Sequence, residues 1–259
     1  MALTDKLVAI ADAIRAKTGG TDLIPLSEMA AAITAIESGG VNYLDYCTRF
    51  NLWSLNIFKK SKVELTLPRV TELSSAFTVN KNASDTEGRT NTMVEELIIH
   101  SPNIITSMQS AFGQNNYYVD KTLKKIVMDF ETETRAWMYC FNNLWALMYI
   151  EGIPINLSPI DNDRYTLGMF NSCPELVEVR FKGTTSYSME IKDSRKLSKD
   201  STLSLMACLS DEAIGKTLTL NQAAVNTAFE TSEGTADGST STEWLALVEA
   251  HSNWTISLV

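Results

Sequence analysis

The sequence predicts an α/β repeat fold, a solenoid of irregular coils of about 24 residues with insertions, preceded by a short α-helical hairpin. Three observations predict it. Four blocks end in a small or apolar residue followed by Phe: Ser74-Ser-Ala-Phe77, Gln109-Ser-Ala-Phe112, Met138-Tyr-Cys-Phe141 and Leu167-Gly-Met-Phe170. A short apolar phrase recurs between them as Val94-Glu-Glu-Leu97, Leu123-Lys-Lys-Ile126, Leu147-Met-Tyr-Ile150 and Leu176-Val-Glu-Val179. The chain opens with two helical stripes, each closed by a Gly-Gly pair.

The first stripe follows Thr4 and Asp5, a plausible N-cap, and places Leu7, Ile10 and Ile14 on one helical face before Gly19-Gly20. Ser27 and Glu28, after Pro25, start a second one, whose Met29, Ile33 and Ile36 share a face before Gly39-Gly40. Helices this short are marginal in water, so each needs a partner surface. The other helix, the following domain or the same hairpin in another subunit could supply it. Residues 1–40 are therefore read as an attachment or oligomerisation module.

The segment from Ile10 to Ile33, with its Asp-Ala-Ile-Arg-Ala-Lys-Thr-Gly and Thr-Asp-Leu-Ile-Pro-Leu-Ser-Glu-Met phrases, resembles the start of tail-associated proteins in phages and prophages of Gram-positive gut bacteria. That resemblance, carried by these phrases, extends over about the first 35 residues of the chain. It implies a virion context and no particular chemistry.

Residues 41–62 form an N-terminal cap or connector, in which Tyr43, Tyr46, Phe50 and Trp53 could close one end of the repeat. Residues 63–195 are the solenoid. Taking Val63, Leu97, Ile126, Ile150 and Val179 as equivalent strand positions, the next Phe follows the first four after 14, 15, 15 and 20 residues. The return from Phe to the next strand takes 20, 14, 9 and 9 residues, so extra residues enter at defined joints. One winding cannot bury its own apolar edge, and its Leu, Ile and Phe positions must stack on those of its neighbours.

Residues 196–259 read as a C-terminal capping region. Ser198 caps a helix with the face Leu203, Met206 and Leu209, and Thr217-Leu-Thr-Leu220 is strand-like. Trp244, Leu247 and Val248 form a last helical face, Asn253 to Leu258 alternate as a strand does, and Gly234 to Thr242 is a loop. The whole pattern from about residue 60 onward resembles the irregular leucine-rich repeats of the BspA type, found in bacterial surface proteins and phage tail proteins. Such proteins imply a strand-lined solenoid used for binding, without catalytic machinery. This chain departs from them in its long insertions and in the coil of Cys140, where Arg135 and Trp137 interrupt the rhythm.

Composition narrows the partners. With 22 Lys and Arg against 31 Asp and Glu, the net charge of -9 disfavours a nucleic-acid backbone, and no apolar run is long enough to insert in a membrane. Met1 to Ile10 lack the apolar core of a secretion signal, so export by the general secretory route is not expected. Cys47, Cys140, Cys173 and Cys208 have neither metal nor redox spacing and read as small buried side chains.

No cofactor, metal or catalytic residue is expected. His100 reads as a strand-end histidine and His251 as a favourable cation at a helix C-terminus. Asp161-Asn-Asp163 lacks the Gly and terminal Glu of an EF-hand, and Glu131 and Glu133 share one solvated face of a strand-like segment. The candidate contact residues are Tyr117 and Tyr118, in the insertion 113–120, and Tyr165, in the insertion 156–165. Tyrosines in such loops can stack on sugar rings or meet a protein; they can equally fold back on the solenoid.

The expected function is a non-enzymatic structural and receptor-recognition part of a phage tail, such as a fibre or baseplate protein. Its partners would be itself, as a trimer, and other tail proteins through residues 1–40, and a glycan or protein of the host surface. A bacterial surface adhesin is the alternative reading, and a polysaccharide-degrading tail enzyme a remote one.

Overall fold

The structure, a computed structural model, describes residues 61–77, 94–113, 120–229 and 241–259, all within one compact unit, Thr48–Val259. The hairpin residues Leu7, Ile10, Ile14, Met29, Ile33 and Ile36, the aromatic run of the connector, Tyr117 and Tyr118 lie outside the described residues. The fold is mixed α/β, with parallel sheets and, among the described residues, three α-helices.

Four strands, β1 (Lys62–Thr66), β2 (Glu96–His100), β3 (Lys125–Asp129) and β4 (Tyr149–Gly152), form a parallel sheet in chain order. Val63 pairs with Leu97, Leu97 with Ile126 and Ile126 with Ile150, the register expected from the sequence. Strand residues alternate faces. Val63, Leu65, Leu97, Ile99, Ile126, Met128 and Ile150 point inward and are buried, as are Val94, Leu123, Leu147 and Leu176, each three residues before a strand position.

Across the core from this sheet the four phenylalanines form a column. Phe77 stacks on Phe112 at 5.0 Å between ring centroids, Phe112 on Phe141 at 5.4 Å and Phe141 on Phe170 at 5.3 Å, with interplanar angles of 7 to 12°. Phe181 closes the run edge-on against Phe170 at 6.1 Å. Trp137, fully buried, flanks Phe141 at 6.3 Å and so belongs to the core, while Arg135 stays outside and pairs with Asp161.

The same turn delivers each ring. The N–H before the Phe donates to the carbonyl three residues earlier, at Ala76 to Leu73, Ala111 to Met108, Cys140 to Trp137 and Met169 to Thr166. Inside each turn, two residues before the Phe, the backbone is left-handed: Ser75 (φ 55°), Ser110 (52°), Tyr139 (56°) and Gly168 (63°). Left-handed backbone costs an L-residue about 1–2 kcal/mol, and only at Gly168 is that strain absent. Bonds to the following turn hold the posture at the first three: the Ser75, Ser110 and Tyr139 N–H groups donate to the Gln109, Met138 and Leu167 carbonyls.

Beyond β4 the structure departs from the expected pattern. The strand expected at Val179 is reduced to a single bridge between Tyr149 and Glu178. A helix end takes its place: the Val179 N–H donates to the Ser201 hydroxyl, and the Val177 carbonyl accepts from the Ser198 N–H and the Ser201 hydroxyl. Both serines belong to the start of α1 (Lys199–Met206), with Ser198 as the expected N-cap. Its buried face is Ser201, Thr202, Leu205 and Met206 rather than Leu203, Met206 and Leu209, because Leu209 lies past the helix end.

Residues 156–165 are part core and part surface: Ser158 and Asp161 to Arg164 are exposed, while Leu157 and Ile160 turn inward. Ile155–Asn156 form β5, which pairs in parallel with β6 (Phe181–Lys182), and Ile155, Leu157 and Ile160 are buried. A third parallel sheet joins β7 (Met189–Ile191), β8 (Lys216–Leu220) and β9 (Trp254–Leu258). Two helices flank it, α2 (Gln222–Ala228), capped by Asn221, and α3 (Thr242–Ala250), whose Trp244 meets Phe229 at 5.1 Å. His251 is the C-cap of α3.

Candidate functional site

The outward face of the four-stranded sheet carries charges of alternating sign from strand to strand. Lys62 pairs with Glu96 at 3.3 Å, Lys125 with Glu96 at 3.9 Å and with Glu151 at 2.7 Å, so opposite charges lie side by side as cross-strand packing favours. At the carboxyl ends of β2 and β3, His100 sits between two carboxylates: its Nδ1 is 2.8 Å from Asp129 and its Nε2 3.1 Å from Glu64. The bond to Asp129, against a lesser effect of burial and with help from Glu64, raises the imidazole pKa above its ordinary value near 6.5. Neither ring nitrogen is left to take a proton from a substrate, since both already face an acceptor. A shallow cleft of about 380 Å³ opens beside His100, lined also by Ile104, Asp129 and Glu131.

A second cleft, of about 390 Å³, lies at the turns that follow Phe141 and Phe170, and it is lined by Trp145, Ser172, Pro174, Lys192, Asp193, Arg195 and Asn221. Trp145 and Pro174 each stand four residues after a stacked Phe. The turn backbone fixes Trp145. The Trp145 N–H donates to the Asp120 carbonyl at 2.8 Å, and the Asp120 carboxylate, itself buried, accepts from the Thr122 and Leu123 N–H groups. Trp145 remains 45% exposed, and Lys121, which does not line the cleft, stands over its indole at 5.4 Å from the ring centre.

On the opposite wall the segment after β7 supplies the charges. Asp193 accepts the Ser172 N–H at 2.7 Å through one oxygen. Lys192 bonds Glu190 at 2.8 Å, and that carboxylate, with a smaller contribution from Asp193, pushes the ammonium pKa up, so the group stays cationic. Asn221 is spent on architecture: its carbonyl caps α2 while its amide donates to the Lys192 carbonyl at 2.7 Å. Arg195 is exposed and has no ion pair among the described residues.

Of the contact residues expected from sequence, only Tyr165 is described. It ends a short 3-10 turn, Asp163–Tyr165, is half-buried, and its carbonyl accepts the Trp137 N–H at 2.9 Å, so it is tied into the body of the fold and away from both clefts. The acidic residues nearby are engaged as well. Asp161 pairs with Arg135, and Asp163 accepts from the Ser188 N–H and from Lys216 at 2.8 Å; burial alone would raise the Asp163 pKa, but these bonds overcome it and lower it. Glu131 pairs with Lys182, and Glu133 is exposed. Sequence reasoning missed Trp145, Lys192, Asp193 and Arg195. The signal that could have found Trp145 was its position in the pattern, where a large apolar side chain follows a core Leu at a point that must face outward.

Comparison with known protein families, with curated proteins and with solved structures returns no match for this chain.

Proposed function

We propose that the chain is a leucine-rich-repeat solenoid of irregular type, and that it serves as a non-enzymatic structural and receptor-recognition part of a phage or related injection-particle tail. The observation that carries the architectural half is the column of Phe77, Phe112, Phe141 and Phe170, set opposite strands that pair in chain order although 34, 29 and 24 residues separate their equivalent positions. A core made from one inward row per winding, indifferent to what is inserted between windings, is what defines a solenoid.

The functional half is supported by the resemblance of residues 10–33 to tail-associated proteins and by an exposed tryptophan at the rim of a charged cleft. In this reading residues 1–40 hold the chain to copies of itself and to other tail proteins, and the solenoid displays its turns to a glycan or protein of the host surface. Mass in solution tests the first half: the full chain is a trimer, and removal of residues 1–40 yields a monomer of unchanged circular dichroism per residue in the remainder. A monomeric full chain overturns the attachment role. Adsorption of the labelled full chain to Gram-positive cell-wall preparations tests the second half, and absence of saturable adsorption on every wall type overturns it.

A further inference from the structure

We infer that the cleft between Trp145 and Arg195 binds an acidic saccharide, with a sugar ring against the indole and the acid group of that sugar on the guanidinium. The inference deepens the receptor-recognition reading and rests on it for the origin of the ligand, though not for the chemistry of the cleft.

Three features converge. The cleft volume of about 390 Å³ falls at the small end of the roughly 300–1,000 Å³ range of small-molecule sites, which suits one or two sugar units. Trp145 is exposed and its backbone is held by the bond to Asp120; Lys121 stands over the indole at 5.4 Å, which leaves one face of the ring for a sugar, and an aromatic side chain gains contact area at little entropic cost. The opposite wall holds a carboxylate and two cations. Asp193 is anchored through one oxygen by the Ser172 N–H, which leaves the other, unpartnered among the described residues, to accept from sugar hydroxyls.

Lys192 is held by Glu190, and its backbone by Asn221, so its charge is already balanced within the wall. Of the two cations that line the cleft, Arg195 is the one without a counter-ion among the described residues. In a chain of net charge -9, an exposed guanidinium without a carboxylate beside a pocket is the group whose planar fork matches an external carboxylate or phosphate ester. A nucleotide could also stack on an indole, but its phosphates would have to lie beside Asp193 as well as Arg195. A sugar ring that brings hydroxyls for the one and a single acid group for the other fits both.

The test is an NMR titration of the full chain labelled with ¹⁵N in its tryptophan indoles, using glucuronate, glucose 6-phosphate, neutral glucose and AMP as probes. The expected result is a saturable shift of the Trp145 indole by glucuronate, glucose 6-phosphate or both in the millimolar range, with glucose at least tenfold weaker. Carboxylate and phosphate ester are told apart by which of the first two binds more tightly. Arg195→Gln lowers the affinity for the acidic sugars about tenfold and leaves glucose unchanged, while Trp145→Ala, which removes the reporting indole and is therefore followed by isothermal titration calorimetry, abolishes all binding; both residues are exposed, and unchanged thermal midpoints verify that the variants fold.

Equal affinity for glucose and glucuronate, insensitivity to Arg195→Gln, no shift at tens of millimolar, or tighter binding of AMP than of either acidic sugar overturns the inference. Wall adsorption separates it from the broader reading. Adsorption that persists in Trp145→Ala refutes the cleft as the contact and leaves receptor recognition standing. Saccharide binding as expected, without adsorption to any wall, sustains the cleft and sinks the receptor role.

Discussion

Replacing Phe141 by Leu is the perturbation that bears most directly on how this core is held. The side chain is fully buried, and its ring stacks on Phe112 at 5.4 Å on one side and on Phe170 at 5.3 Å on the other. Leu keeps most of the apolar volume and removes both stacks within the column, each contributing about 0.5–1.5 kcal/mol beyond area burial, together with the flanking contact to Trp137, so the expected loss is at least about 1–3 kcal/mol. The same substitution at Phe112 also removes stacks, and in the double variant the shared one is lost only once. A double-mutant cycle on Phe112 and Phe141 therefore gives a coupling of about 1 kcal/mol. Phe77 and Phe170 have no neighbour in common within the column, so their cycle closes to within about 0.5 kcal/mol. Equilibrium urea unfolding, followed by far-ultraviolet circular dichroism and by tryptophan fluorescence to verify coincident transitions, supplies the four free energies of each cycle. If the adjacent pair is additive, or if the distant pair couples as strongly, the rings do not act through direct contact and the column is incidental.

Three other expectations follow. Gly152 has φ 93° at the end of β4, and a Cβ there would lie 2.2 Å from the Met128 carbonyl oxygen. Gly152→Ala should therefore cost at least about 1–2 kcal/mol, seen as a lower urea midpoint at unchanged m-value; a neutral result would mean that the β3–β4 pairing yields easily. His100 has a raised pKa, so the stability from its pairing with Asp129 and Glu64 is fully present below about pH 6.5 and is lost as pH rises through the folded-state value. The groups are largely exposed, which keeps the effect under about 1 kcal/mol; the wild-type urea midpoint should fall relative to that of His100→Gln between pH 5.5 and 8.5, and parallel pH profiles would refute the pairing. Burial pushes the thiol pKa of Cys173 up to about 12, despite hydrogen bonding, and that of Cys208 up to about 11, while Cys140 is raised well above its usual range. Site-resolved alkylation at pH 8 should label these three only after denaturation, and labelling of Cys140 or Cys173 in the native state would contradict their burial.

The strand register and the phenylalanine column were legible because burial on one face imposes an alternation that survives insertions: Val63, Leu97, Ile126 and Ile150 need only be apolar in the right places. The turns were less legible. Left-handed backbone is advertised by Gly or Asn, and of the four turns only Gly168 carries that mark, whereas Ser75, Ser110 and Tyr139 are held there by the hydrogen bonds they donate to the following turn. The loss of the Val179 strand had no local signal at all. Its residues keep the apolar pattern, and the competing partner, the Ser201 hydroxyl, lies 22 residues away in the chain. Helix α2 escaped notice because Asn221 is its main local cue and its seven residues bury only Ala224 and Val225. The cleft at Trp145 depends on Asp193 and Arg195 arriving from a later sheet, and no spacing within a single segment encodes that meeting.

The unequal spacing of the paired strands has a consequence for how such a chain can change. Val63 meets Leu97 in the same alignment by which Ile126 meets Ile150, although ten more residues separate the first pair. Closing a longer excursion costs little, about 0.6 kcal/mol for each doubling of its length. The register of β1 on β2 thus does not depend on the number of residues that separate the two strands, and the ladder tolerates a change in that number. Length can vary there without renegotiating the interior.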